Sequence, residues 1–195
     1  MARTYTLKRR AENQAETRRR IVEAAVELHS TLGPARTTIS NVAERAGVQR
    51  HTVYAHFPTE RELSLACSGL ALERDPLPDD KAWRRIGDPE QRLRRALAEI
   101  YAWFARNSEL VACVLRDAEV DPLTRDIVHL RIGARMEQFR HVLGRGFPPS
   151  RKLQAALELA LSFHTWRSLV KGGRSSLDAA VDFMVSAIRC AVDKR

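Results

Sequence analysis

Apolar residues recur three and four positions apart along most of the chain, and no stretch alternates between apolar and polar residues with period two. This spacing gives a helix one apolar face that has to be buried. The pattern therefore predicts an all-α fold of about nine helices. The first helix is expected from Glu16 to Leu32, where Gly33-Pro34 forms its stop.

A pair of short helices is predicted within residues 37–57. The first helix has an apolar face, Thr38 as its N-cap, and Gly47 at the turn behind it, where the backbone has to be left-handed. The second helix is polar, and packing through Val48 and Val53 leaves most of its side chains uncovered. This arrangement is a helix-turn-helix, whose second helix presents its first residues to the bases in a DNA major groove.

The segment AERAGVQRHTVYAHF, from Ala43 to Phe57, resembles the DNA-binding domain of the TetR family of transcriptional regulators. The likeness covers residues 18–63, including the amphipathic helix before this segment and the PTERELSLA run that begins after it. In that run Thr59, with Glu62 three residues on, is expected to cap the next helix. The resemblance implies a three-helix DNA-binding domain over residues 16–62, followed by a helical ligand-binding and dimerisation domain over residues 63–195.

The resemblance and the polar second helix together identify candidate DNA contacts. We expect Arg50 and His51 to contact bases, because arginine pairs with guanine and His51 replaces the small residue that is usual in the family. The residues expected to hold phosphates are Thr38, Gln49, Thr52, Tyr54 and His56. Glu60 stands where family members commonly carry a lysine that contacts the DNA backbone, and Arg61 is the neighbouring residue that could replace it.

Charge agrees with a polyanionic partner. The chain has 33 Lys and Arg against 24 Asp and Glu, a formal net charge of +9, and such cations release the counterions condensed on nucleic acid. Seven basic residues lie within the first 20 residues, before the helix-turn-helix: Arg3, Lys8, Arg9, Arg10, Arg18, Arg19 and Arg20. Residues 1–15 are expected to form a basic flexible arm that either contacts DNA or stays in solvent.

An all-helical enzyme is an alternative from a different class. The sequence offers it no GxSxG, HExxH or Walker loop, and the adjacent Asp79-Asp80 are expected to be solvated. Cys67, Cys113 and Cys190 lack metal-binding spacing, so we interpret them as reduced, buried thiols, with a redox-sensing pair as the alternative. We therefore expect no catalysis, no cofactor and no metal. Without a signal peptide or a membrane-length apolar run, the protein is expected to be cytoplasmic.

The C-terminal half reads as helices only. A linker is predicted over residues 74–88, and Asp88-Pro89 and Asp121-Pro122 each begin a helix. The last two helices, over residues 150–170 and 175–192, each carry two apolar faces and so need two surfaces to cover them. We expect them to form a four-helix bundle with a second copy, giving a homodimer through residues of about 150–192, unless loops of the same domain cover the second face.

The resemblance also implies a small-molecule effector bound by the second domain. Candidate lining residues are Tyr101, Trp103, Phe104, Cys113, Leu115, Phe139, Phe163 and Trp166, with Arg116, His129 or His164 as the polar group. The expected function is a repressor that binds a palindromic operator as a dimer and is released by this effector. The alternatives are a transcriptional activator and a DNA-binding protein that responds to no ligand.

Overall fold

The structure is a computed structural model that describes residues 2–193. Within that range all regular structure is helical, which confirms the all-α fold. The helices are α1 (Ala2–Thr31), α2 (Ile39–Ala46), α3 (Arg50–His56), α4 (Glu60–Arg74), α5 (Lys81–Arg84), α6 (Pro89–Arg106), α7 (Ser108–Ala118), α8 (Pro122–Val128), α9 (Ala134–Gly144), α10 (Arg151–Leu161), α11 (Phe163–Arg167) and α12 (Leu177–Asp193). A 3-10 turn covers Pro34–Arg36, and π-helical turns cover His129–Gly133 and Ser168–Gly172.

The chain packs as two compact units. Unit 1 comprises the residues up to Pro76 together with Glu109–His129, and unit 2 comprises Leu77–Ser108 and Leu130–Arg195. Unit 1 therefore holds α1 to α4 and α8, together with nearly all of α7. The domain boundary between residues 62 and 63 stays a prediction, since packing units are not the same thing as separately folding domains.

The core of unit 1 fixes the helix-turn-helix. α1 contributes Ile21 and Ala25, α2 contributes Val42, and α3 contributes Val53, all of them fully or almost fully buried. Phe57, directly after α3, is buried in the same cluster. Burial of such side chains is worth about 1.5–3 kcal/mol for each large aliphatic or aromatic group. The apolar positions predicted from spacing are thus the ones that position α3.

Unit 2 is built around α6 and α12. Its buried apolar residues include Leu93, Leu97, Ile100, Leu153, Leu157, Val181, Met184, Val185 and Ile188. Trp83, on the short helix α5, is also fully buried: its ring lies 4.9 Å from the ring of Phe139, and its Nε1 donates to Glu99 Oε2 at 2.8 Å. The predicted linker therefore contains a packed helical turn.

Three local predictions were wrong. The first helix begins at Ala2 rather than at Glu16. The helix predicted over residues 150–170 is interrupted at Ser162, whose backbone is extended and whose hydroxyl accepts from the amides of His164 and Thr165 at 3.2 and 3.4 Å. Asp80 is buried rather than solvated.

The cysteines also depart from expectation, because only Cys67 is buried, while Cys113 is half-buried and Cys190 is exposed.

Asp80 is held by charged and amide partners of unit 2. Its carboxylate accepts from Arg84 Nε at 2.6 Å and from Gln138 Nε2 at 3.0 Å, and Arg135 lies 3.3 Å away. Burial alone would raise the pKa of Asp80, but these hydrogen bonds and charges outweigh burial and lower it. A carboxylate with this many donors can be buried without losing its charge.

Candidate DNA-binding surface

The helix-turn-helix begins with a complete cap on α2. The Thr38 hydroxyl accepts from the amide of Asn41 at 3.2 Å, and Asn41 Oδ1 accepts from the amide of Thr38 at 3.0 Å. The predicted N-cap is confirmed, and Asn41 takes the place of the Glu or Gln usual in such a capping box. Thr38 remains exposed at the start of α2.

The turn between α2 and α3 is fixed by Gly47 and by a side chain from α1. Gly47 has φ 64° and ψ 42°, the left-handed conformation that was predicted, and its amide bonds to the carbonyls of Ala43 and Glu44. Arg20 Nη2 donates to the carbonyls of Ala46 and Gly47, the latter at 3.3 Å. Arg20 thus ties the turn to α1 and satisfies two carbonyls at the end of α2.

The three consecutive arginines of α1 all have partners inside the chain. Arg18 lies over the ring of Phe57 at 4.3 Å, and Arg19 pairs with Glu16 and Glu23 at 2.7 and 2.8 Å. Arg20 holds the turn. Sequence reasoning counted all three as charge available to nucleic acid, whereas each of them also supports the fold of unit 1.

The side chains of α3 divide between the core and the surface. Val53 is fully buried, while Thr52 and His56 are half-buried. Besides Thr38, four of the predicted DNA contacts are exposed: Gln49, Arg50, His51 and Tyr54. In the part of the chain that the structure describes, the Arg50 and His51 side chains make no hydrogen bond or ion pair. The structure thus brings the predicted contact residues of this helix to one surface, and their contact with DNA stays a prediction.

The predicted cap of α4 is confirmed, since the Thr59 hydroxyl accepts from the amide of Glu62 at 3.2 Å. Glu60 is exposed in the first turn of this helix. Arg61, the expected replacement for the family lysine, lies with its Nη1 3.6 Å from Asp126 Oδ2 at the surface. A pair of this kind contributes little, so Arg61 can exchange Asp126 for another anion.

The loop after α1 is docked on α7 by a buried carboxylate. Asp117 Oδ2 accepts from the amide of Ala35 at 2.9 Å, while Arg116 donates to Asp117 Oδ1 and to the carbonyl of Leu32, both at 2.8 Å. Burial would raise the pKa of Asp117, but the hydrogen bonds from Arg116 and Ala35 lower it overall. Asp117 was missed by sequence reasoning, because nothing near it in the chain indicates a partner 82 residues away.

Two of the predicted effector-binding residues belong to this same contact region. Arg116 is engaged as described, and Cys113 Sγ lies 3.4 Å from the carbonyl of Ser30. His129, a third candidate, is exposed and also belongs to unit 1. Cys113, Arg116 and His129 therefore belong to unit 1. The aromatic candidates that the prediction grouped with them belong to unit 2.

A half-buried histidine lies near the C-terminal end of α1. His29 Nδ1 is 3.4 Å from Cys67 Sγ, and burial lowers the pKa of His29 to about 4, against a smaller opposing effect of Asp117. The imidazole is therefore neutral at neutral pH.

The aromatic candidates form a cluster in unit 2. Phe104 lies at its centre, with ring distances of 6.3 Å to Tyr101, 5.9 Å to Trp103 and Trp166, and 5.4 Å to Phe163. All five are buried. The other two candidates of unit 2 lie differently, because Phe139 packs on Trp83 and His164 is exposed. The last candidate, Leu115, is half-buried on α7 in unit 1.

Two polar atoms inside this cluster differ in their partners. The Tyr101 hydroxyl donates to the carbonyl of Ala160 at 3.0 Å, and burial raises the Tyr101 pKa. Trp166 Nε1 is buried and has no hydrogen-bond acceptor among the residues that the structure describes. An unpaired buried N–H costs about 1–3 kcal/mol, so Trp166 is the member of the cluster with an unmet need for an acceptor.

Among residues 2–193, no group of three or more His, Cys, Asp or Glu side chains is placed to hold a metal ion. None of the helices described has the length and apolar character needed to cross a bilayer.

Sequence comparison adds independent support for the helix-turn-helix. Residues 21–67 match the family model described as "Bacterial regulatory proteins, tetR family". The repressor KstR of Mycolicibacterium smegmatis is 32% identical over 106 residues, which are 54% of this chain and 52% of KstR. The regulator TtgR of Pseudomonas putida is 44% identical over 96 residues, 49% of this chain and 46% of TtgR. The chain thus spans about half the length of the curated relatives it matches.

Solved structures extend the likeness to the whole fold. The TetR-family regulator PfmR of Thermus thermophilus superposes with a TM-score of 0.64 and 22% identity, covering 87% of this chain and 94% of PfmR. A TetR-like regulator from Rhodococcus sp. gives a TM-score of 0.61 and 23% identity, over 91% of this chain and 97% of its own. At these identities the likeness concerns the fold alone. Together with the capped helix-turn-helix, the match over residues 21–67 leads to one conclusion: this part of the chain carries the helix-turn-helix domain of the tetR family of bacterial regulatory proteins.

Proposed function

We propose that this protein is a DNA-binding transcriptional regulator that represses transcription from a palindromic operator, binds it as a homodimer and is released by a small-molecule effector. The observation that carries the proposal is the capped helix-turn-helix in which α3 is anchored by Val53 and Phe57 and leaves its polar side chains uncovered. The proposed place of action is the cytoplasm.

DNA reading is assigned to the start of α3. Arg50 is the first residue of the helix and His51 the second, and both are exposed and unpaired within the described chain. An arginine bidentate to guanine discriminates against a wrong base by about 1–3 kcal/mol. Thr38, Gln49, Thr52, Tyr54 and His56 are proposed to hold backbone phosphates, which fixes how α3 lies in the groove.

Dimerisation is assigned to an apolar face on α10 and α12. Leu159 is 58% and Phe183 60% exposed in the single chain. Ala179 and Cys190, on the Phe183 side of α12, are also exposed. A second copy related by a twofold axis would cover this face with the same residues. Two α3 helices would then read half-sites roughly 34 Å apart, or a multiple of that spacing.

The effector site is proposed to lie in the aromatic cluster around Phe104. An apolar ligand carrying a hydrogen-bond acceptor would suit this cluster, because Trp166 Nε1 has no acceptor within the described chain. Such a ligand releases DNA only if it binds the DNA-free conformation more tightly than the DNA-bound one. The name of KstR as a repressor favours repression over activation as the mode of action.

Selection of bound duplexes from a random DNA pool tests the proposal. The parent protein is expected to enrich one palindrome, and Arg50→Ala is expected to bind that palindrome with relaxed preference at one base position per half-site. His51→Ala is expected to relax preference at a neighbouring position. Enrichment of no sequence by the parent would contradict the function, and an unchanged preference in both variants would contradict the assignment of α3.

A further inference from the structure

An open cleft lies between the N-terminal turns of α1 and the recognition helix α3. Its volume is about 380 Å³, and its lining consists of Arg9, Arg10, Asn13, Gln14, Thr17, Thr52 and His56. Each of the seven side chains carries at least one hydrogen-bond donor, since either neutral tautomer of histidine has one N–H. Five of them lie on α1, between Arg9 and Thr17.

The cleft is formed by two helix faces. Arg9, Asn13 and Thr17 follow one another at intervals of four residues, as do Arg10 and Gln14 beside them. On α3, Thr52 and His56 are also four residues apart. The cleft therefore results from the continuous helix over Ala2–Thr31, because an unstructured arm would not hold these five side chains on one side.

The charge of the cleft has no partner within the described chain. Arg9 and Arg10 are exposed and make no hydrogen bond or ion pair among the described residues, and no acidic residue lines the cleft. Two unpaired guanidinium groups beside amide and hydroxyl donors favour a phosphate oxygen as ligand.

A second cleft along α1 differs from the first in that its arginines already have partners. It is lined by Arg20, Glu23, Ala24, Glu27, Glu44, Arg45, Ala46 and Gly47, so that its two arginines face three glutamates. Arg45 bonds to Glu27 at 2.5 Å, and Arg20 holds the carbonyls of the turn. The guanidinium groups there already have acceptors, and a phosphate would meet three carboxylates.

The position of the first cleft relates it to DNA. An α-helix seated in the major groove has a sugar-phosphate backbone on each side, because the groove is about 12 Å wide and the helix nearly fills it. Thr52 and His56 lie on the side of α3 that faces α1, so a backbone running along that side meets the cleft.

We propose that this cleft holds a phosphodiester of the DNA backbone between α1 and α3, so that Arg9 and Arg10 form a second DNA-contacting element outside the helix-turn-helix. This inference rests on the proposed DNA-binding function. The contact reads charge rather than sequence, so it strengthens binding to every duplex and fixes the position of the backbone beside α3.

The test compares Arg9→Gln/Arg10→Gln with the parent on the selected palindrome and on a scrambled duplex. Glutamine keeps the helix propensity of α1 while removing the two charges. We expect affinity for both duplexes to fall by a similar factor, with base preference unchanged. The slope of log affinity against log salt should become smaller by about 2 per dimer, since each phosphate contact contributes about 0.9.

The matched control is Arg19→Gln/Arg45→Gln. It removes the same charge from α1 and α2, but from side chains already paired with Glu16, Glu23 and Glu27. An equal loss of affinity in this control would show that net charge alone acts and would overturn the cleft assignment. A parent-like affinity and slope in Arg9→Gln/Arg10→Gln would overturn it as well.

Replacing single phosphates of the operator by uncharged methylphosphonate locates the contact. The parent is expected to lose about tenfold at one phosphate per half-site, where Arg9→Gln/Arg10→Gln loses no more than about twofold, because coupled groups are not additive. A parallel titration with inorganic phosphate at constant ionic strength separates the two sources of this anion. Displacement of DNA by low millimolar phosphate from the parent, but not from the variant, would assign the cleft to a free anion and overturn the proposal.

The outcomes also separate the two proposals. If the parent selects no palindrome, the proposed function fails and this inference fails with it. The parent can instead select a palindrome, with Arg50→Ala relaxing the base preference. If Arg9→Gln/Arg10→Gln then responds to methylphosphonate as the parent does, the cleft inference fails alone.

Discussion

Helices α3 and α12 each bury one face in their own unit and leave another face uncovered, but the uncovered chemistry is opposite. On α3 the exposed side chains include Arg50 and His51, which are polar and strongly hydrated. On α12 they include Phe183, which keeps 60% of its surface in solvent. Helical spacing predicts the buried face in both cases, whereas the residue types of the other face indicate the partner.

The two faces should respond differently to salt, and this is the largest effect that we expect. Raising monovalent salt from 50 to 200 mM should weaken DNA binding about a thousandfold if six or more phosphates are contacted. Dimer dissociation through the apolar face should change by less than about twofold, because hydrophobic burial is not screened by salt. Fluorescence anisotropy with labelled DNA and analytical ultracentrifugation without DNA measure the two effects. If the dimer dissociation constant rose with salt as steeply as the DNA dissociation constant, the contrast between an apolar and a charged face would be contradicted.

Phe183→Glu should break the α12 face. Placing a carboxylate in an interface that buries this ring should weaken the dimer by about 3 kcal/mol, roughly a hundredfold. Sedimentation velocity across a concentration series checks this. Val120→Glu is the matched control, since Val120 is a 77% exposed apolar residue of unit 1 that belongs to neither face. A dimer unaffected by Phe183→Glu, or affected equally by Val120→Glu, would contradict the assignment.

Acid should weaken the unit that carries α3 through His29. The pKa of His29 is about 4 in the folded chain and 6.5 in the reference state, so the unfolded chain binds more protons between these values. Stability should therefore fall as the pH drops from about 6.5 to 4, by about 2 kcal/mol once partial exposure of the ring is allowed for. Urea unfolding at pH 7.0 and 4.5 measures this loss, and His29→Gln should show a smaller loss between the same pH values. An identical loss in parent and variant would exclude His29 as the cause.

The smallest effect concerns the unit that carries α12. Trp166→Phe should change stability by less than about 0.5 kcal/mol or raise it, because it removes an N–H that has no acceptor along with part of the ring. Tyr101→Phe should cost about 1 kcal/mol, because it removes the hydrogen bond to the carbonyl of Ala160. Thermal unfolding of both variants gives the comparison, and a Trp166→Phe loss exceeding that of Tyr101→Phe would mean that packing around the indole dominates.

Local signals account for what the sequence predicted well. Thr38, Thr59 and Asp88 cap helices by accepting from amides three residues away. Gly47 turns the chain because glycine can adopt the left-handed backbone conformation. Such features are complete within four or five residues, so a sequence pattern contains them in full.

Long-range partners account for what the sequence did not predict. Arg20 finds its acceptors 26 residues away, and Asp117 finds its amide 82 residues away. Asp80 looked solvated beside Asp79 because Gln138, one of its donors, is 58 residues distant. Their burial and partners depend on tertiary packing, which no local pattern of residue types specifies.

The start of α1 was missed for a different reason. Residues before Glu16 lack an apolar repeat, so periodicity gives no sign of a helix there. Ala and Arg together make up six of these fifteen residues, and both are good helix formers without any packing. Residues 8–16 are all exposed, so intrinsic propensity rather than burial accounts for the helix there.

The continuity of α1 also has a mechanical consequence. One helix carries Arg9 near its beginning and the loop docked by Asp117 at its end, about 33 Å apart at 1.5 Å per residue. A tilt of the helix by 5° about its C-terminal end would therefore displace Arg9 by about 3 Å. A rotation this small need not break a packing contact at the C-terminal end of α1. At Arg9, however, it gives a displacement about as long as a hydrogen bond.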